Sequence, residues 1–252
     1  MSYSEELMVQ LQHDATALNS ELSLLFIRLG GHVALQFTAP RAKEYLLQGV
    51  CRRVETIRRC MVRIFNTFAV DRRNVLDDDE RSNVEVSLQA FLLNLYGVFD
   101  NVAWTLLFEK HVSLPRNKVG LFLQATQQHL AAPLLKSVTD PKIQSWYKTH
   151  VKPYRDALAH RIPVYVPPMG LDEKAQQRNR ELEEQIVSAI ERRDLNAVER
   201  LQNEQEGLGV ALPVFSHSYS KEEGSPPMWL HPQVIVDGKT MLEVLNTAFP
   251  TT

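Results

Sequence analysis

Between residues 154 and 161 the chain reads Tyr154-Arg155-Asp156-Ala157-Leu158-Ala159-His160-Arg161, an arginine, an acid and a histidine closing one predicted helix just ahead of Pro163. An imidazole titrates near neutrality and so can take or give a proton, whereas a guanidinium keeps its charge and matches phosphate geometry. Together they suit chemistry at a phosphodiester. In RNA the ribose 2′-hydroxyl attacks the adjacent phosphorus. An imidazole can remove that proton or protonate the leaving 5′-oxygen, each transfer contributing about 10²–10⁴ in rate. Arginine stabilises the negative charge that builds on the phosphorus oxygens. Asp156 and His160 are four residues apart and therefore share a helix face, where the carboxylate is expected to orient the imidazole and favour its charged form. Arg155 points about 100° away, and its long stem is expected to bring the guanidinium round to the same phosphate. Neither a metal nor any other cofactor is needed for this chemistry.

The remaining elements must position that helix. Ser4 is placed to cap a first helix carrying Leu7, Leu11 and Leu18, after which residues 22–29 and 32–38 flank Gly30-Gly31 and read as a β-hairpin. Leu47, Val50, Val54, Ile57, Met61, Ile64 and Phe68 recur at spacings of three and four, which predicts an amphipathic helix with arginines opposite. A second long helix, over residues 82–110, carries Val84, Leu88, Phe91, Leu95, Val98, Val102 and Leu106, and the two should pack together. Pro115 and Asn117 mark a loop, residues 121–135 a shorter helix, and Asp140-Pro141 the start of the motif helix, in which Pro153 should cause a kink or a break. Residues 162–168 can only be extended. The charged stretch 172–206, split at Asp194, reads as a projecting helical hairpin. It is followed by segment 210–218, a loop at 221–227, a strand at 228–236, an Asp237-Gly238 turn and a short helix to Phe249. The expected fold is mainly α. It is a bundle of about four core helices with an N-terminal β-hairpin, a C-terminal helical hairpin and a small β addition, divided as residues 1–40, 41–168 and 169–252.

With 252 residues, 44% of them hydrophobic and 23% charged, the chain can fill one sizeable domain with insertions or two small ones. Its two cysteines, Cys51 and Cys60, lie nine positions apart on one predicted helix, roughly 13 Å, so they cannot bridge within it. The start, with Ser4, Glu5 and Glu6, lacks a basic segment followed by an apolar one, and no uncharged apolar run reaches spanning length, so a cytoplasmic protein with no membrane association is expected. The net charge of −2 requires any nucleic-acid binding to come from a local patch. Residues 41–73 hold nine basic and three acidic side chains, and residues 142–161 five and one. The first stretch reads either as a solvated face or as an RNA-facing one.

Asn94, Asp100 and Asn101 interrupt the apolar helix over 82–110. Asn94 and Asn101, seven apart, share a face, and either lie on the exposed margin of the helix or are buried and need partners, which the motif helix would supply. Lys152 and Arg161 add positive charge beside the motif. Tyr154 and Tyr165 bracket it and either pack in the core or stack on bases. His150, His217 and His231 show no metal-binding spacing, and Trp104, Trp146 and Trp229 read as packing anchors.

A helical bundle whose last helix carries Arg155, a polar residue directly after it and His160 five positions on resembles the HEPN (higher eukaryotes and prokaryotes nucleotide-binding) superfamily, over roughly residues 41–161. The family signature is an arginine, four to six intervening residues and a histidine, with Asn, Asp or His commonly after the arginine. The resemblance implies a metal-independent endoribonuclease, often a toxin or antiviral effector, that acts on single-stranded or tRNA-like RNA and leaves a 2′,3′-cyclic phosphate and a 5′-hydroxyl. It also implies a homodimer whose two motif helices form one composite cleft, since one histidine does not readily act as both acid and base in a turnover. In the toxin members a cognate inhibitor protein completes the system. Some members keep the fold without the activity, so a binding module is the alternative. A subgroup modified on a tyrosine two residues after the histidine differs from this chain, which has Ile162 there.

Overall fold

The computed structural model describes residues 3–217 and 226–250. The first helix, α1 (Glu5–Arg28), starts where the Ser4 hydroxyl accepts the Leu7 N–H at 3.3 Å. It buries Leu11, Ala15, Leu18, Leu22 and Leu25. The same three-and-four rhythm runs on through buried Leu29 and Val33 in a π-helical turn (Leu29–Val33) that leads into α2 (Ala34–Gln36). The β-hairpin expected over residues 22–38 is therefore absent. A side chain on Gly30 or Gly31 would meet nothing within 4 Å, so no tight turn requires either glycine.

Helix α3 (Pro40–Glu44) opens on a proline, whose missing N–H costs nothing there, and passes through a π-helical turn (Tyr45–Cys51) into α4 (Arg52–Thr67). α4 buries Val54, Ile57, Met61, Ile64 and Phe65, as its periodicity requires. Next comes α5 (Asp78–Glu109), which starts earlier than its apolar pattern suggests. Asp77 accepts the Glu80 N–H at 2.7 Å while Glu80 accepts the Asp77 N–H at 3.1 Å, a reciprocal cap. Asp77 and Glu80 thus fix where the helix starts. α4 and α5 pack against each other as expected. Among the described residues α5 alone is long and apolar enough to cross a membrane, and 56% of its most apolar stretch is buried in the bundle.

The helix expected over 121–135 is broken into α6 (Gln124–Gln127) and α7 (Ala132–Thr139), because Pro133 is tolerated only in a first turn. Asp140 caps α8 (Pro141–Trp146), a π-helical turn (Tyr147–Val151) follows, and α9 (Lys152–His160) carries the motif. Pro153 cannot donate a backbone hydrogen bond, and the wider turn before it absorbs the loss without breaking the helix.

Residues 173–206 form the expected hairpin, α10 (Glu173–Glu191) and α11 (Leu195–Glu206), capped by Asp172 and Asp194. A two-stranded antiparallel pair follows, β1 (Val214–Phe215) with β2 (Met228–Trp229), Val214 opposite Trp229. Most of the loop expected at 221–227, and the end of segment 210–218, lie outside the described residues. The strand expected over 228–236 stops at Trp229, where α12 (Leu230–Ala248) begins. Pro232 falls in its first turn and forfeits no hydrogen bond. Asp237 and Gly238, expected to turn, lie inside this helix. A Cβ on Gly238 would come within 2.6 Å of the Leu18 side chain, so glycine allows α12 to cross α1 closely.

One core joins Leu18 and Leu22 of α1, Val54 and Ile57 of α4, Leu88 and Phe91 of α5, and Val234 and Leu245 of α12. It runs without a break across residues 40 and 168. The α10–α11 hairpin keeps its own small cluster around Leu182, Ala189 and Leu201.

Candidate active site

α9 rests on α5 and presents Arg155, Asp156 and His160. Asp156 does not touch His160. Its Oδ2 accepts from Lys152 Nζ at 2.6 Å and its Oδ1 from Arg155 Nη1 at 2.9 Å. The expected carboxylate–imidazole pair is thereby replaced. Helical side chains lean toward the N-terminus, so Asp156 reaches back one turn to the Lys152 ammonium rather than forward to His160. Partial burial works against ionisation of Asp156, but Lys152 and Arg155 outweigh it and hold the carboxyl below its usual range. His160 is exposed at the helix end, and the exposed Arg161 closes the helix with its N–H on the Ala157 carbonyl at 2.9 Å.

The Arg155 guanidinium lies 4.9 Å from the centre of the Tyr96 ring, a cation–π contact on α5. With Lys152, Tyr96, Asp100 and Tyr147 it lines a recess of 520 Å³ bordered by the 116–123 loop. Its aromatic wall is ordered by Tyr147 stacking on Phe122 at 3.9 Å. Asp100 forms no hydrogen bond among the described residues. Burial pushes its carboxyl up to about 6, while the charges of Arg155 and Arg53 pull the other way.

Asn94 and Asn101 do not reach α9. They serve Arg53 of α4, whose Nε donates to Asn101 Oδ1 at 2.7 Å and whose Nη1 donates to Asn94 Oδ1 at 2.9 Å. Gly97 lies between them, and a Cβ there would sit 2.5 Å from Arg53 Cζ. The guanidinium therefore lies flat across α5 in a cradle that Asn94, Gly97 and Asn101 build at spacings of three and four. Burial lowers the Arg53 pKa, and the Asp100 charge opposes that shift. With Arg41, Gln48, Arg52 and Thr56, Arg53 lines a second recess of 430 Å³. The N-x-x-G-x-x-x-N pattern was visible in the sequence, but its partner helix was not.

Tyr154 is buried, edge-on to Phe215 and His217, so it is a core residue and not a base-stacking platform. Tyr165 joins its backbone to Ser216 in an isolated antiparallel bridge. Much of the arginine face on α4 is ion-paired: Glu55 accepts from Arg58 and Arg59, which hold its carboxyl down at about 2 against burial, and Arg58 also reaches Asn19. Among the described residues no group of three or more His, Cys, Asp or Glu side chains is placed to hold a metal. Compared with family models, curated proteins and solved structures, the chain has no match.

Proposed function

We propose that this protein is a metal-independent endoribonuclease of the HEPN type, working as a homodimer on single-stranded or tRNA-like RNA. The observation that supports the reading is that one helix, α9, carries both Arg155, half-exposed in a recess lined by Lys152, Tyr96 and Asp100, and His160, exposed at its end. In this reading the His160 imidazole of one protomer takes the 2′-hydroxyl proton and that of the other protonates the 5′-oxygen. The two Arg155 guanidiniums neutralise the charge growing on the phosphorus oxygens. Asp156 acts on Arg155, not on His160: its carboxylate fixes the guanidinium over Tyr96. Lys152 and Arg161 supply phosphate contacts along the strand. A toxin or defence effector held by a cognate inhibitor protein is the setting in which such an activity fits.

The test is cleavage of a mixed RNA substrate in EDTA by wild type, His160→Ala and Arg155→Ala. The expected result is cyclic phosphate ends from wild type and a loss of about 10²–10⁴ in rate for His160→Ala. Equal activity in all three, or none in any, removes the catalytic reading. One observation favours a second reading, a binding module without catalysis: Asp156, the acid one turn before His160, is committed to Lys152 and Arg155. That module would hold RNA on the same face with cleavage absent throughout.

A further inference from the structure

A guanidinium half removed from water is normally matched by a carboxylate, because burying a charge without compensation is costly. Arg53 is matched instead by two neutral amides, Asn94 and Asn101, and it forms no ion pair among the described residues. Its Nη2 group makes no hydrogen bond among them, and Asp100 acts on it only at longer range. The amides fix the orientation of the fork without cancelling its charge. Two glycines keep the place open: a Cβ on Gly97 would strike Arg53, and one on Gly49 would come within 2.9 Å of Asn101. The recess that Arg53 lines also carries Arg52, Gln48, Tyr45 and Thr56, whose hydroxyl donates to the Arg52 carbonyl at 2.9 Å, and Arg41, which is paired there with Glu44. Its 430 Å³ falls in the range of a small-ligand site and exceeds what one phosphate fills.

We propose that this recess is a phosphoryl-binding site for a nucleotide unit, with the anion on Arg53 and Arg52 and the rest of the nucleotide toward Tyr45. The unit is either a free nucleoside monophosphate or one residue of an RNA strand. Both present the same phosphate chemistry. Bidentate charge-assisted hydrogen bonding to a pre-oriented guanidinium supplies the affinity, and the neutral amides behind it leave the charge available. The site stands apart from Arg155 and His160 and does not depend on their being catalytic.

The experiment titrates the full chain with inorganic phosphate, with AMP and with a short 2′-O-methyl oligoribonucleotide, followed by calorimetry and by thermal shift. Three variants are compared with wild type. Arg53→Gln removes the charge. Gly97→Ala keeps every charge but drives the guanidinium out of its cradle, and it favours the helix, so it guards against a folding failure in the first variant. His160→Ala reports on the motif. The expected result is binding to wild type that weakens about tenfold or more in Arg53→Gln and Gly97→Ala, the loss of a charge-assisted hydrogen bond. His160→Ala should bind like wild type. AMP binding with the oligonucleotide no tighter assigns a free nucleotide, and binding of the oligonucleotide alone assigns the RNA backbone. Absence of binding by all three probes, or equal binding by wild type, Arg53→Gln and Gly97→Ala, overturns the proposal. Because cleavage is measured separately on His160→Ala, a failed nuclease reading leaves this result unaffected.

Discussion

Two buried titratable side chains set opposing pH dependences. Asp237 of α12 is fully enclosed and its Oδ1 accepts from Trp146 Nε1 and Gln233 Nε2, each at 2.7 Å. Burial pushes this carboxyl from 3.8 up to about 7, against the pull of both donors. The folded state therefore keeps a proton that the unfolded chain releases. Its contribution is fully present below pH 3.8 and is lost as pH rises to about 7, on the order of 4 kcal/mol in all. His231 does the reverse. Enclosed by Phe65 and Phe68, its Nε2–H donates to the Phe68 carbonyl at 2.6 Å while Nδ1 accepts from the Tyr3 hydroxyl at 3.1 Å. Burial lowers its pKa from 6.5 to about 4, so its contribution is present above pH 6.5 and lost as pH falls toward 4. Asp237→Asn should raise the melting temperature at pH 8 by several degrees, keep the Trp146 bond, and expose the acid-side loss due to His231. A melting curve parallel to wild type between pH 4.5 and 8 would contradict this. At this scale the sequence was informative where chemistry depends on residue type alone: Arg155 and His160 could be picked out, and both lie on α9, with His160 exposed at its end. It was uninformative where a side chain chooses its partner across the fold. Asn94 and Asn101 turned to Arg53, and Tyr154 to Phe215, because α4 and β1 reach those positions first.

The α10–α11 hairpin is an element that stands on its own. Its cluster around Leu182, Ala189 and Leu201 is separate from the main core, and its two ends are tied by reciprocal Gly170–Val210 backbone hydrogen bonds at 2.8 and 3.1 Å. Replacing residues 172–208 with a short Gly/Ser turn should therefore leave the bundle folded, with a melting temperature within a few degrees of the full chain. Loss of cooperative unfolding in calorimetry would show that the hairpin supports the core after all. The hairpin was legible because caps, charge and sparse apolar positions all agreed. So was the pairing of α4 with α5, from an apolar stripe that only a helix produces. Misreadings arose where a local turn signal competed with a longer period. Gly30-Gly31 suggested a hairpin, yet Leu18, Leu22, Leu25, Leu29 and Val33 already marked one continuous buried stripe. Asp237-Gly238 suggested a turn, yet the acid is satisfied by Trp146 and the glycine admits Leu18, both contacts from elements distant in sequence. Turn propensity is a local preference of about one kcal/mol, and burial of several leucines outweighs it.

The whole molecule carries a net charge of −2, so under the proposed ribonuclease reading its overall field would not draw RNA in, and association would depend on local basic surface around α9 and the start of α4. The proposed catalysis by two histidines would add a second requirement at this scale, a partner copy that brings the other α9 alongside. An isologous interface there needs apolar surface near the two-fold axis. Leu93 of α5, Leu123 at the edge of the Arg155 recess and Ile162, two residues past His160, are exposed apolar side chains on elements around the motif. A carboxylate placed at residue 162 would meet its own copy across a two-fold axis and repel it, so Ile162→Asp should weaken the dimer. Leu195→Asp, at the more exposed start of α11 and far from the motif in the chain, should leave it intact. If each cleft needs a histidine from both copies, specific activity must follow the dimer fraction. It should rise with protein concentration, level off above the dimer dissociation constant, and shift to higher concentration in Ile162→Asp. Sedimentation equilibrium run beside cleavage assays over the same dilution series checks both halves at once. Activity per chain that stays constant while the protein passes from dimer to monomer would mean that one α9 suffices, and the two-histidine cleft would have to be abandoned.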